Sequence, residues 1–325
     1  MPKLKKAAFW AVAGLLMLVP VVLAELYLRS IGLGNPILFY ANASYRFAPL
    51  PNQQQVRQRG AKVTIDSKGL RNSADWSDPA DGKLLFIGDS VTWGGTYIDD
   101  RQLFSDGVCQ RLAAATGKRY VCGNAGANQY GTDNMAERIR YANVNDESVL
   151  VVTLIAADAI RGGVDAEGRY FFMQRPPPPF RALWEATTFL TWVLYKKLRP
   201  QSYRSDDDLR VAERSVENML SAIRETQRPG RKVLIVLSPI KAELNGKEGP
   251  LTKRVQSMLA RSGFDWIDLH GPVSKAVTPD FYYDEVHLDV RGHALYAEQI
   301  AARLKEPAGG EPRERPAAAH GGGVD

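Results

Sequence analysis

The sequence predicts an α/β protein, a three-layer α/β/α sandwich around a central parallel sheet, with a transmembrane helix ahead of it. Three observations carry that prediction. From Lys83 onward, short apolar runs alternate with helix-patterned segments. The runs are continuous in Val, Leu and Ile rather than alternating with polar residues, as a sheet covered by helices on both faces requires. The chain also opens on a basic cluster followed by an uncharged apolar stretch.

In chain order, Lys3, Lys5 and Lys6 lie in a cytoplasmic segment, residues 1–6, by the positive-inside rule. The apolar run 7–24 is longer than a typical signal-peptide core and close to bilayer-spanning length, so a single-pass anchor in the inner membrane is expected. Val22 and Ala24 form a usable cleavage site, which keeps a removed signal peptide as the alternative. Either way the remainder is expected to be extracytoplasmic, in the periplasm. Residues 25–80, rich in Pro, Gln, Asn and Arg, read as a linker and lead-in with one hairpin or edge-strand candidate, KVTIDSKGLRNS.

The main domain is expected over 81–305. Its strands are KLLFIG, RYVCGN, SVLVVTLIA, KVLIVLS and FDWIDL, and its first helices are RQLFSDGVCQRLAAATG and TDNMAERIRYA. Residues 160–230 read as an insertion. It holds four consecutive prolines, an aromatic helix candidate (Trp184, Phe189, Trp192, Tyr195, then Lys196, Lys197 and Arg199), and a polar helix from Asp206 to Gln227. The aromatic helix can lie on a membrane, cover a cleft as a lid, or pack its apolar face on the sheet, the last being the commonest use of such a pattern. Residues 306–325 lack core-forming residues and are expected to be a disordered tail that includes His320.

Composition excludes several classes. The net charge of +6 is dispersed among 42 basic and 36 acidic residues, without the basic and aromatic stripe of a nucleic-acid binder, so no nucleic-acid partner is expected. The two cysteines, Cys109 and Cys122, are too few for a disulfide framework or a zinc site of their own; they form one disulfide or serve as two small buried hydrophobes. No phosphate-binding loop, dinucleotide fingerprint or metal cluster is written in the chain, and no cofactor is needed. Oligomeric state is not encoded in any motif.

Two local features carry chemistry. An apolar strand runs into Gly88, Asp89 and Ser90, which presents a hydroxyl at the carboxyl end of the sheet, where crevices form. Near the C-terminus, Asp284 and His287 stand at a D-x-x-H spacing that lets a carboxylate orient an imidazole within one turn while the other ring nitrogen faces a serine. His293 falls on another face of the last helix and reads as a packing or surface residue. His270 follows the last strand without a partner evident in sequence. Asp158 sits at a strand end, where it can cap backbone or reach substrate, and Trp93 and Tyr130 flank the loops and can line a sugar-binding cleft or simply pack.

The strand-GDS start and the D-x-x-H before a C-terminal helix resemble the first and last motifs of the SGNH/GDSL hydrolase family, over about residues 83–305. The resemblance implies a flavodoxin-like sandwich and an esterase or acyltransferase in which Ser90 attacks an ester carbonyl, His287 moves its proton and Asp284 orients the imidazolium. Two family positions differ. Gln129 stands where the second motif has Gly, with Gly126 and Gly131 nearby, and Ala157 precedes Asp158 where the third motif has Asn. The expected oxyanion and substrate-binding groups are therefore the Gln129 N–H, the Asn128 side chain, Gly126 and Asp158. The anchor and the VTIDSKGLR stretch resemble envelope members associated with surface-polysaccharide systems, which implies an acylated, chiefly acetylated, polysaccharide as substrate. The alternatives are a lipid esterase or thioesterase, and a non-catalytic carbohydrate-binding or assembly protein.

Overall fold

A computed structural model describes residues 2–142, 144–162, 172–198, 206–278 and 280–306. Helix α1 (Pro2–Ser30) is followed by four short strands, β1 (Phe39–Asn42), β2 (Arg46–Pro49), β3 (Gln53–Val56) and β4 (Lys62–Ile65), paired antiparallel as β1–β2 and β3–β4. Over Ala8–Ser30, α1 is long and apolar enough to cross a membrane. The sandwich then runs through β5 (Gly82–Gly88), α2 (Ser90–Trp93), α3 (Phe104–Thr116), β6 (Tyr120–Asn124), α4 (Thr132–Arg140), β7 (Val149–Leu154) and α5 (Asp158–Arg161). It continues with α6 (Arg181–Leu198), α7 (Asp206–Glu225), β8 (Lys232–Leu237), α8 (Pro250–Arg261), β9 (Asp265–Asp268), α9 (His270–Ala276) and α10 (Val290–Lys305).

The five apolar runs form one parallel sheet in the order β6-β5-β7-β8-β9. Their continuous apolar character has the expected cause. In β5, Leu85 and Ile87 pack into the layer of α4, α7 and α8, while Leu84 and Phe86 pack into the layer of α3, α9 and α10. Strand β5 pairs with both β6 and β7, so the sheet changes direction of winding at β5, and its carboxyl end is the switch point at which such sheets place functional groups.

Three sequence expectations are corrected. Residues 25–80 are not a linker: Phe47, Val63, Ile65, Leu70 and Trp76 belong to the core beneath α4 and α7. Arg71 exchanges both backbone hydrogen bonds with Asn124 at the end of β6 (2.8 and 3.1 Å). Strands of four residues are too short for alternation to stand out against the polar residues between them. The polar helix assigned to an insertion is α7, the ordinary crossover between β7 and β8; Ala212, Val216, Met219, Leu220 and Ile223 follow helical spacing and are buried, so the inserted material lies between α5 and α7. Helix α6 does not lay its apolar face on the sheet. Its start packs against the end of α1 and buries Ala182 and Glu185, and its second half is largely exposed.

Cys109 on α3 and Cys122 on β6 form a disulfide, with Cα atoms 5.9 Å apart. The helix crosses close enough to its strand for that span, within ordinary disulfide reach. Residues 307–325, which contain His320 and nearly all of the expected tail, and the start of the aromatic insertion together with Arg199, lie outside the described residues.

Candidate active site

The β5 strand ends in Gly88 because nothing larger fits. A Cβ there would stand 2.1 Å from Thr92 Oγ1 and 2.4 Å from the Thr153 carbonyl oxygen. Asp89 then caps α2, its Oδ1 accepting from the Val91 N–H at 2.9 Å, and Ser90 occupies the first helical position. Two side chains hold the far end of α2 and the loop after it. Asn124 donates to the Thr92 carbonyl, and the fully buried Arg71 donates to the carbonyls of Trp93 (2.7 Å), Gly95 and Ile98 while pairing with Asp100 at 2.9 Å. The serine is thus fixed from the lead-in strands as well as from the sheet.

On the opposite wall, the 281–289 loop turns back on itself through Tyr283 N–H to His287 carbonyl (2.8 Å) and Asp289 N–H to Phe281 carbonyl (3.0 Å). Asp284 Oδ1 accepts from the Val286 and His287 N–H groups, both at 2.8 Å, and Oδ2 accepts from His287 Nδ1 at 2.7 Å. A carboxylate only accepts, so the imidazole proton sits on Nδ1 and the Nε2 lone pair faces Ser90 Oγ at 2.9 Å. Burial pushes the Asp284 carboxyl up, but the hydrogen bond and charge of His287 and the two N–H groups outweigh it and hold the group well below the usual carboxylate range. The structure therefore brings Ser90, His287 and Asp284 into one hydrogen-bonded chain, an arrangement able to draw a proton from a hydroxyl during attack on a carbonyl.

The other expected groups are placed differently. The Gly126 N–H already donates to Asn124 Oδ1 at 2.9 Å, and a Cβ on Gly126 would stand 2.8 Å from the Trp93 nitrogen; its role is close packing under α2 rather than donation to substrate. Asp158 is fully buried, accepts from the Ile155 N–H (3.0 Å) and Arg161 (2.6 Å), and so faces no substrate. Burial and the neighbouring Asp89 carboxylate push the Asp158 carboxyl well above the ordinary range, against the opposing pull of Arg161 and the Ile155 N–H. Asn128 and Gln129 lie half-buried in the turn closed by Tyr130 N–H to Ala127 carbonyl (3.2 Å), with Gln129 at φ 66°, the left-handed conformation that favours glycine. A Gly-type backbone thus persists at the position where the family's Gly is replaced.

Trp93 and Tyr130 line no cleft. Both are buried, and the Tyr130 hydroxyl donates to the Phe47 carbonyl. His293 is a core residue: its Nδ1 accepts from the Phe104 N–H (3.1 Å), and burial drives its pKa down to about 3, so it is neutral. His270 does have partners. Nδ1 lies 2.6 Å from Asp268 Oδ1 and Nε2 3.4 Å from Glu243 Oε2.

Sequence reasoning missed the exposed rim beside the triad. Tyr97 and Tyr283 stack with centroids 3.9 Å apart and planes 17° from parallel, and the Tyr97 hydroxyl donates to the Leu288 carbonyl (2.9 Å). The Arg59 guanidinium carbon is 5.6 and 5.1 Å from the two ring centroids. A point nearly equidistant from two stacked rings lies at their side, so Arg59, paired with Asp289 at 2.9 Å, leaves the outer face of Tyr283 open. Tyr283 adjoins Asp284 in the chain, which was a readable signal; Arg59 comes from a distant strand pair and had none.

No curated protein matches the chain. Among solved structures, it is similar to an acetyl-xylooligosaccharide esterase of Geobacillus stearothermophilus, at 14 % identity over 71 % of this chain and 97 % of that chain, with TM-score 0.47. It is also similar to a lipase/acylhydrolase from Enterococcus faecalis, at 18 % identity over 68 % of this chain and 96 % of that chain, with TM-score 0.42. The sequence profile of the GDSL-like lipase/acylhydrolase family matches residues 86–295, from the strand that delivers Ser90 through the D-x-x-H loop into α10, and the chain belongs to that family of ester hydrolases.

Proposed function

We propose that this hydrolase is a membrane-anchored, extracytoplasmic serine esterase or O-acyltransferase acting on acyl esters, chiefly acetyl, of an envelope or exported polysaccharide. The observation that carries the catalytic reading is the unbroken chain from Ser90 Oγ through His287 to Asp284. Ser90 Oγ adds to the ester carbonyl as its proton passes to His287 Nε2, and Asp284 stabilises the imidazolium that forms. Collapse of the tetrahedral intermediate breaks the bond to the sugar oxygen, which takes the proton from Nε2 and leaves an acyl group on Ser90. Water or a second sugar hydroxyl then attacks the acyl-enzyme, with His287 again accepting and returning the proton.

The backbone N–H groups of Ser90 and Gln129 and the side chain of Asn128 serve as the oxyanion donors, because Ala157 offers no amide. Asn128→Ala is then expected to lower ester turnover about 10²-fold; unchanged turnover removes Asn128 from this role. The open face of Tyr283, with Arg59 at its edge, supports a sugar-bearing substrate: the flat apolar ring accepts the C–H face of a pyranose, and the guanidinium offers donors to its hydroxyl oxygens. The lysines ahead of α1, the length and apolar character of α1, and a disulfide of the kind oxidising compartments permit all support export of the domain.

The test is acyl release from acetylated glycans, measured beside short- and long-chain synthetic esters with Ser90→Ala as blank. Release from the glycans above the blank is expected. Turnover confined to long-chain esters would replace the glycan by a lipid substrate.

A further inference from the structure

Helix α6 is pinned to the end of α1. Glu25, in the last turns of α1 and buried, accepts from the N–H groups of Ala182 (3.1 Å) and Leu183 (2.9 Å) at the start of α6, and Arg29 donates to the Pro179 carbonyl at 2.7 Å. A carboxylate at those free N–H groups satisfies the helix terminus and complements its dipole. One turn further, the buried Glu185 pairs with Arg57 of the β3–β4 connection and accepts from the Gly34 N–H at 2.7 Å. The beginning of α6 is thus locked between the end of the apolar span and the catalytic domain.

Its second half has the opposite character. Leu190, Leu194 and Leu198, at i, i+4 and i+8 on one helix face, are 57, 52 and 83 % exposed. Trp184 and Tyr195 flank that stripe and are exposed too, and Phe189 is exposed beside it. Helices in water put such a stripe against a core, and a soluble surface rarely leaves an apolar patch of this kind uncovered. The element that holds the start of α6 is the apolar span of α1, whose own side chains are almost wholly unburied. Leucines on one face, bordered by Trp and Tyr and joined near the end of the helix by the exposed Lys197, form the residue set of a helix lying at a membrane interface.

We propose that α6 is a second membrane contact, seated through Leu190, Leu194 and Leu198 in the headgroup and upper acyl region of the bilayer that α1 enters. The proposal rests on the anchor reading of α1. With α1 in the bilayer, the Glu25 and Arg29 contacts hold the start of α6 at the membrane boundary, and the two helices together fix the orientation of the catalytic domain, not merely its tether.

The chain contains two cysteines, both in the disulfide, so single nitroxide labels can be placed on the full-length protein. Labels at Leu190→Cys and Leu194→Cys, at Val19→Cys in α1 and at the exposed Asp207→Cys are to be compared in phosphatidylethanolamine/phosphatidylglycerol nanodiscs, using oxygen and a nickel chelate as collision partners. Expected are oxygen-to-nickel collision ratios several-fold higher at positions 190 and 194 than at 207. Nickel-accessible labels at 190 and 194 would place α6 in water and overturn the proposal. Labels immobilised and shielded from both reagents would overturn it as well, by showing that a second copy or another part of the chain covers the stripe. The Val19 label separates the readings: lipid-like there with water at 190 and 194 refutes only the α6 contact, whereas water at all three also refutes the anchor.

Discussion

Among the described residues, two Asp–His pairs are built alike at the imidazole Nδ1 and unlike at Nε2. In one, Asp284 accepts from His287 at 2.7 Å and Nε2 meets the Ser90 hydroxyl. In the other, Asp268 lies 2.6 Å from His270, and Nε2 meets the Glu243 carboxylate. A hydroxyl can give Nε2 a proton, whereas a carboxylate can only accept one, so the first ring is poised as a base and the second is held as an imidazolium. Burial opposes the charge on His270, but its bonds to Asp268 and Glu243 prevail and raise its pKa to about 9. Access differs in the same sense: the side chains of His287 and Asp284 are 31 and 48 % exposed, whereas that of His270 is 5 % exposed. An Asp–His pair is therefore no catalytic signature in itself. The third partner and its exposure decide, and the buried pair braces the β8 and β9 loops.

The largest expected effect breaks or confirms this contrast directly. Ser90→Ala and His287→Ala are each expected to lower kcat by about 10⁶-fold, with the double variant little worse, because the two act as a unit. Additive losses would remove the coupling. Asp284→Asn should cost about 10⁴-fold by allowing the wrong tautomer at His287, while Asp268→Asn changes thermal stability and leaves kcat largely unaffected; equal kcat losses would put both pairs in catalysis.

His270→Gln sharpens the comparison at the level of folding. It leaves two half-buried carboxylates facing each other without a cation and is expected to destabilise by about 3 kcal/mol, read as a lower denaturant midpoint. A change in kcat with an unchanged midpoint would reverse its role. The pH dependence gives the smallest signal. His270 is raised above its ordinary 6.5, so its contribution to stability is complete below about pH 6.5 and is lost as pH rises through about 9. That loss amounts to at most about 3 kcal/mol and should vanish in His270→Gln. Asp284 acts with the opposite sign: held low, it contributes above its ordinary 3.8 and loses that contribution as the solution becomes acidic.

The catalytic candidates were legible because their signals are local. Gly88-Asp89-Ser90 ends an apolar run, and D-x-x-H spans one turn. His270 was misjudged although Asp268 stands two residues before it, because the deciding partner, Glu243, comes from another loop. Arg71 was read only as part of a short strand motif, and its hold on the Trp93, Gly95 and Ile98 carbonyls depends on the lead-in folding back on β6. Trp93 and Tyr130 sit where a cleft would be, but aromatic residues in loops carry no mark of which way they face, and these two face inward.

The sequence by itself determined the parallel sheet, its strand segments, the apolar N-terminal helix and the Ser90, Asp284 and His287 set. Periodicity and spacing are written within a dozen residues and survive without knowledge of any distant neighbour. Only the tertiary structure decided that residues 25–80 are core, that α7 is a crossover, that Cys109 reaches Cys122, and that Tyr283, Tyr97 and Arg59 share a rim. Each of these depends on how separate elements pack against one another. Chain closure and packing choose such contacts, and no local pattern encodes them.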